Sequence, residues 1–193
     1  ALHLSCMAIG LSKGDYHWTS PVTFVATSNC GVYCGSRPEF VDIDTGTYNM
    51  DVAVLEEKLI DAKEEGRLPK VVIPVHFAGR SCDMEAIMNI AKHHNLKVIE
   101  DCAHAIETEY KGQKAGTFGD FGCFSFYVTK NLTTGEGGMF TSNDDDIVEK
   151  IRKLIGHGIE TTTQERLMSV YPWERVTTVP GYNFRMSNIL AAL

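Results

Sequence analysis

The chain has 193 residues, 44% of them apolar and 22% charged, with a formal net charge of −7; that is enough for one domain with a substantial core and too apolar for a disordered segment. The negative charge, with no basic tract denser than the thin stretch from Arg67 to Lys70, argues against a nucleic-acid partner, whose phosphates need a clustered basic face. No apolar run approaches the roughly 18 residues that span a bilayer and no charged-then-apolar leader opens the chain, so a membrane partner is not expected and the protein should be soluble and cytoplasmic.

In chain order, Leu2, Met7 and Ile9 recur at helical spacing up to Gly10, as if a helix were already under way, with sequence expected upstream. Asp51 is placed to cap a helix with Val52, Leu55, Leu59 and Ala62 on one face, ending near Gly66. Val71-Val72-Ile73-Pro74-Val75 reads as a buried strand. Asp83 opens a second helix with Met84, Ile87, Met88 and Ala91 inward, and Leu96 to Ile99 follows as a strand, which makes a βαβ rhythm. His93 and His94 at that helix's end read as solvated side chains favoured by the helix dipole.

Beyond Asp101 the pattern changes. Tyr110 to Lys114 reads as a turn in a small excursion, Gly119 to Tyr127 as a strand, and Met139-Phe140-Thr141 as another strand past a glycine turn. Asp144 to Ile155 is helical, with Ile147, Ile151, Leu154 and Ile155 forming its apolar stripe. Glu160 to Val179 is aperiodic and reads as one long loop of about 20 residues, and Ala191-Ala192-Leu193 lies in the first turns of a further helix.

Several chemistries find little support. Gly116, Gly119 and Gly122 are spaced three apart, which is neither the dinucleotide nor the Walker pattern. Cys6, Cys30, Cys34, Cys82, Cys102 and Cys123 sit inside apolar patterns and read as free thiols. Cys30 and Cys34 are placed to share a helix face, but without paired Cys-x-x-Cys units no zinc site is expected, and His104 with Asp101 lacks further ligands at sensible spacing.

Lys130 is different. It follows the aromatic and β-branched run Phe124-Ser125-Phe126-Tyr127-Val128-Thr129 and precedes Gly135-Glu136-Gly137-Gly138, with the acidic segment Val98-Ile99-Glu100-Asp101 upstream. A lysine between a buried strand and a glycine turn suits covalent chemistry, since an ordinary lysine pKa of about 10.4 must be countered by its surroundings. By itself it reads more readily as a surface lysine in a turn.

Four motifs in order decide the matter. Val98-Ile99-Glu100-Asp101-Cys102-Ala103-His104, Phe124-Ser125-Phe126 to Lys130, Gly135-Glu136-Gly137-Gly138, and Gly181-Tyr182-Asn183-Phe184-Arg185-Met186-Ser187-Asn188 together resemble the DegT/DnrJ/EryC1/StrS family of sugar aminotransferases. The resemblance runs over essentially the whole chain. It implies the large domain of a fold type I, pyridoxal-phosphate-dependent transferase, an α/β fold with a mixed, mostly parallel sheet flanked by helices. Residues 1–193 would be that domain cut at both ends, without the family's N-terminal Gly-Thr and its C-terminal small domain.

Carried over residue by residue, the resemblance makes Lys130 the lysine that forms a Schiff base with pyridoxal 5'-phosphate and Asp101 the partner of the ring nitrogen. His104 falls at the position near the ring hydroxyl, Ser125 at the phosphate-binding serine, and Phe24 at the aromatic residue that stacks on the ring. Asn183 matches the asparagine that reaches the cofactor phosphate of the neighbouring subunit, implying a homodimer with shared active sites. Glu100 is expected on the opposite side of its strand from Asp101, and Arg185 is open between substrate binding and a structural ion pair.

The implied reaction takes an amino group from L-glutamate and delivers it to a keto sugar carried by a nucleoside diphosphate, with ping-pong kinetics. The stretch Gly181 to Ile189 is most similar to perosamine synthase-like members, which favours amination at carbon 4 of a 4-keto-6-deoxy sugar; carbon 3 or a UDP-linked acetamido sugar stays open. The rival class is a non-catalytic α/β module that binds a nucleotide sugar without transfer, and the joint presence of Lys130, Asp101 and Ser125 disfavours it.

Overall fold

The computed structural model describes residues 1–161 and 163–193. Among the described residues eight short strands form, in chain order β1 (Tyr16–Thr19), β2 (Arg37–Phe40), β3 (Val71–Ile73), β4 (Lys97–Asp101), β5 (Glu109–Tyr110), β6 (Gln113–Lys114), β7 (Phe121–Ser125) and β8 (Gly138–Thr141). Six of them make one sheet in the order β2-β1-β3-β4-β7-β8, every pair parallel except β7 with β8. β5 and β6 pair separately, through a turn in which Lys111 and Gly112 take positive φ. This is the α/β architecture with a mixed, mostly parallel sheet that the sequence led us to expect.

The helices are α1 (Leu2–Ala8), α2 (Ala26–Val32), α3 (Val52–Glu64), α4 (Met84–His94), α5 (Asp145–Leu154), α6 (Thr163–Leu167) and α7 (Asn188–Ala191). Period two along the strands sends side chains to opposite faces. Val72 and Val98 pack with Leu55 and Leu59 of α3 and with Met84 and Ile87 of α4. Val71, Ile73, Ile99 and Phe121 instead meet Leu4 and Cys6 of α1, Cys30 of α2, and Ile151 and Leu154 of α5. At the end of β4, Glu100 therefore shares the α3 and α4 side with Val98, while Asp101 points with Ile99 toward α2.

Helix starts follow their caps. Asp51 accepts from the amides of Ala53 and Val54, Asp83 from that of Ala86, and Asp144 from that of Ile147, which satisfies amides that the first turn leaves free. The apolar stripes are close to those anticipated. Ile90 is buried on α4 where Met88 was expected, and α1 buries Leu4, Cys6 and Ala8, with Leu2, Met7 and Ile9 only partly covered.

Three elements carry no clear signal in the sequence. β1 buries His17 and Thr19, polar residues that hide its strand pattern and that the fold satisfies: Thr19 Oγ1 donates to the Ile73 carbonyl at 2.8 Å, and His17 bridges the Ser28 carbonyl at 2.8 Å and Ser36 Oγ at 2.7 Å. α2 is built from Ala26-Thr27-Ser28-Asn29-Cys30-Gly31-Val32, mostly weak helix formers. Gly31 is required there, since a Cβ would stand 2.4 Å from the His17 ring. β2 contains Pro38 and lies at the sheet edge, where proline is tolerated.

The stretch from Glu160 to Val179 is not one irregular loop. It holds α6, and its base is closed by a bridge between Ile159 and Thr177 and by the Glu160 amide on the Val176 carbonyl at 3.0 Å; Thr162, within it, lies outside the described residues. Among the described residues no helix is long and apolar enough to cross a membrane.

Candidate active site

Because β1, β3, β4 and β7 are parallel, their carboxyl ends lie along one edge of the sheet, where open α/β folds place ligands. Asp101 is the last residue of β4, paired with Cys123, and Ser125 ends β7 two positions beyond that pair. The chain leaves β7 through a turn in which the Lys130 amide donates to the Tyr127 carbonyl at 2.9 Å and the Thr134 amide to that of Phe126 at 3.1 Å. The turn folds Lys130 back over the strand end. Lys130, Ser125 and His104 line one small pocket, with Phe124, Ile106 and Asn131 completing its wall.

Asp101 is buried and held by two donors. Thr27 Oγ1 donates to its Oδ2 at 2.7 Å, and the Ala103 amide to its Oδ1 at 3.1 Å. The segment after it carries His104 to the surface. Lost hydration holds the His104 imidazole below its usual range, the Lys130 charge lowers it further, and the Asp101 carboxylate opposes both. An amine and a serine hydroxyl thus share one pocket with His104, three residues beyond the carboxylate that ends β4.

Phe24 lies in the turn before α2, 76% exposed, its ring open to a partner. That turn is close to the carboxylate in bonding terms, since Thr27 links it to Asp101. Asn183 does not line the pocket. It is exposed on the strand-like segment that bridges Gly156, and its Oδ1 accepts from Arg185 Nε at 3.2 Å. Of the six residues singled out from the sequence, four gather at the sheet edge, Phe24 sits one helical turn from Thr27, and Asn183 stands apart.

The residues fit a phosphorylated pyridine aldehyde. An amine is available for an imine, a buried carboxylate for a cationic ring nitrogen, a hydroxyl for a phosphate oxygen, and an exposed aromatic face for the ring. Ser20 Oγ, just past the end of β1 on the same edge, is buried without a hydrogen-bond partner among the described residues. The sequence placed Thr23 and Thr27 in the segment around Phe24 that resembles the family's cofactor-stacking stretch, but assigned a role to neither of them nor to Ser20.

Glu100, on the other face as expected, is fully buried. It accepts from the amides of Gly116, Phe118 and Gly119 at 2.7–2.8 Å and contacts His76 Nε2 at 3.0 Å. With Cys102 these two residues form a group whose ligand atoms lie within 4.8 Å of one another. It is a hydrogen-bonded core rather than a metal centre: the carboxylate is already filled, and burial, then the neighbouring Glu100 charge, pushes the Cys102 thiol up and away from the thiolate a metal requires. All six cysteines are free.

Comparison with known proteins gives a consistent picture. The DegT/DnrJ/EryC1/StrS aminotransferase family matches residues 1–193. GDP-perosamine synthase of Caulobacter vibrioides is 42% identical over 193 residues, covering 100% of this chain and 48% of that protein. UDP-4-amino-4-deoxy-L-arabinose–oxoglutarate aminotransferase of Shewanella sediminis is 36% identical over 192 residues, with 100% and 48% covered. The crystal structure of a DegT DnrJ EryC1 StrS aminotransferase from Brucella abortus superposes with a TM-score of 0.87 at 33% identity, covering 100% of this chain and 49% of that one. The chain spans about half the length of the relatives it matches.

Proposed function

Given that the chain belongs to the DegT/DnrJ/EryC1/StrS aminotransferase family, we propose that residues 1–193 form the cofactor-binding large domain of an enzyme that moves an amino group from L-glutamate to a keto sugar carried by a nucleoside diphosphate. The cofactor is pyridoxal 5'-phosphate. Lys130 would hold it through Nζ, Asp101 through its ring nitrogen, Phe24 through its ring face, His104 near its ring hydroxyl and Ser125 through its phosphate, with Asn183 reaching the phosphate from a neighbouring copy in a homodimer. When bound, the group supplies an electron sink that lets the α-carbon of an amino acid lose its proton near neutral pH.

The chain's own residues do the rest. The Nζ of Lys130 is the base at the α-carbon of glutamate, and its place beside His104 and Ser125 sets it within reach of a substrate entering over the sheet edge. The Asp101 carboxylate, kept out of bulk water and oriented by Thr27 and Ala103, supplies the negative charge that favours a cationic ring. His104, whose pKa is lowered, stays neutral near pH 7 and adds no second cation next to Lys130. The observation that carries this reading is that Lys130, Ser125 and His104 line one pocket at the carboxyl end of β7, beside the buried Asp101 that ends β4.

Among sugars, a nucleotide-linked 4-keto-6-deoxy sugar is favoured by the likeness of Gly181 to Ile189 to perosamine synthase-like members, and amination at carbon 4 is supported further by the 4-amino-4-deoxy sugar in the name of the Shewanella relative. The test supplies the purified protein with cofactor, glutamate and a panel of GDP-, dTDP- and UDP-linked keto sugars. Amino sugar and 2-oxoglutarate should appear in equal amounts with one of them, and Lys130→Ala should abolish both. Transfer by the alanine variant at the normal rate would defeat the proposal, as would silence across the whole panel from protein loaded with cofactor.

A further inference from the structure

The hydrogen bonds around Asp101 have a direction fixed by how many protons each group carries. A carboxylate has no proton to give, so the 2.7 Å contact between Thr27 Oγ1 and Asp101 Oδ2 is donated by the threonine. A hydroxyl carries one hydrogen. The equally short contact of Thr27 Oγ1 with Thr23 Oγ1, also 2.7 Å, must therefore be donated by Thr23. The result is a one-way chain from Thr23 to Thr27 to Asp101, its last link at the length of a charge-assisted bond.

The chain spans a long sequence separation. Thr27 and Asp101 are 74 positions apart, and Phe24 sits inside the segment that the two threonines close. The Thr27 amide also donates to the Phe24 carbonyl at 3.1 Å, and Thr27 is fully buried. α2 has no side-chain cap at its start, so its first turn is held by these hydroxyls and by the strand end they bond to. β-branching limits Thr27 to few side-chain rotamers, which fixes the direction from which the carboxylate is approached.

We propose that Thr27, backed by Thr23, is the positioning residue of the active site: it sets the rotamer of the Asp101 carboxylate and locks the turn bearing Phe24 to the end of β4, so that the charge for the ring nitrogen and the aromatic face for the ring keep one mutual geometry. This role rests on the cofactor reading above. Thr27 is fully buried, and its effect passes through Asp101.

The test compares Thr27→Val, Thr27→Ser and Thr23→Val with the unmodified protein, and repeats Thr27→Val in an Asp101→Asn background. Equilibrium dialysis gives the dissociation constant for pyridoxal phosphate, and borohydride reduction with peptide mapping reports the bond at Lys130. Thr27→Val keeps the side-chain shape but removes the donor, and should weaken cofactor binding by about 10- to 100-fold. Thr27→Ser keeps the donor and should stay within about threefold, while Thr23→Val, which leaves Thr27 still donating, should weaken binding by about three- to tenfold. In the Asp101→Asn background Thr27→Val should add less than about twofold, because the two act as one unit.

An unchanged constant for Thr27→Val would overturn the role, as would a full loss persisting in the Asp101→Asn background. If Thr27→Val does not fold, a Thr23→Val constant equal to that of the unmodified protein overturns it instead. Failure of the unmodified protein to take a label at Lys130 would break the cofactor reading itself; a label there with an indifferent Thr27 breaks only this inference.

Discussion

Replacing Glu100 with alanine removes the acceptor that closes the excursion between β4 and β7. Its Oε1 accepts from the Phe118 amide at 2.7 Å and the Gly119 amide at 2.8 Å, and its Oε2 from the Gly116 amide at 2.8 Å and His76 Nε2 at 3.0 Å. His76 cannot turn its proton elsewhere, since its Nδ1 accepts from the Cys82 amide at 3.1 Å. A buried donor left without an acceptor costs about 1–3 kcal/mol. With four such donors, and water reaching some of them in the vacated space, Glu100→Ala should lose about 4 kcal/mol of stability.

Glu100→Gln asks the same question without a cavity. Its carbonyl can serve Phe118 and Gly119, but its amide NH2 then faces two donors, the Gly116 amide and His76 Nε2, for a loss of about 2–3 kcal/mol. Urea unfolding followed by circular dichroism reads both variants, with unchanged slope if only stability moves. Because the same residues lead into β7 and Ser125, cofactor retention should fall with stability. Either variant within about 0.5 kcal/mol of the parent would refute the account of how this excursion is held.

Other outcomes follow from the site. Asp101→Asn removes the charge opposite the ring nitrogen; unit charges about 4 Å apart at an effective dielectric of about 20 interact by about 4 kcal/mol, so 2-oxoglutarate formation from glutamate should drop about a thousandfold, and a parental rate would contradict the role. Lys130→Met takes away a cation that lowers His104, so the His104 titration followed by NMR should move to higher pH, and an unmoved midpoint would contradict their proximity. His17 is held below its usual value of 6.5, first by burial and against the pull of the Ser28 carbonyl. The unfolded chain then binds more protons than the folded one as pH falls below about 6.5, so stability present above that pH is lost on acidification. Unfolding free energies that rise as pH drops through this window would reverse that sign.

Much of this was readable from residues alone, for reasons visible in particular places. α3, α4 and α5 announced themselves because an aspartate cap precedes a clean apolar stripe in each, and β3 because a buried parallel strand is a nearly continuous apolar run. β1 and α2 were not, since His17 and Thr19 are buried for their hydrogen bonds and Gly31 for the space it leaves the His17 ring. The site divides in the same way. Asp101, Ser125 and Lys130 lie within motifs with strong order and spacing, whereas Thr27 acquires its role only when the chain brings it to a carboxylate 74 positions away. Glu100 could be assigned to a face by period two, but its four donors come from residues that no local pattern connects.

The account stands on the amine of Lys130 forming a bond to a phosphorylated aldehyde at the end of β7. Incubation with pyridoxal phosphate, borohydride reduction and mass-spectrometric peptide mapping measure this directly. The account predicts one dominant adduct, on the peptide that contains Lys130, and none there in Lys130→Ala. An adduct spread over exposed lysines such as Lys111 and Lys114, with Lys130 unmodified in folded protein, would contradict it.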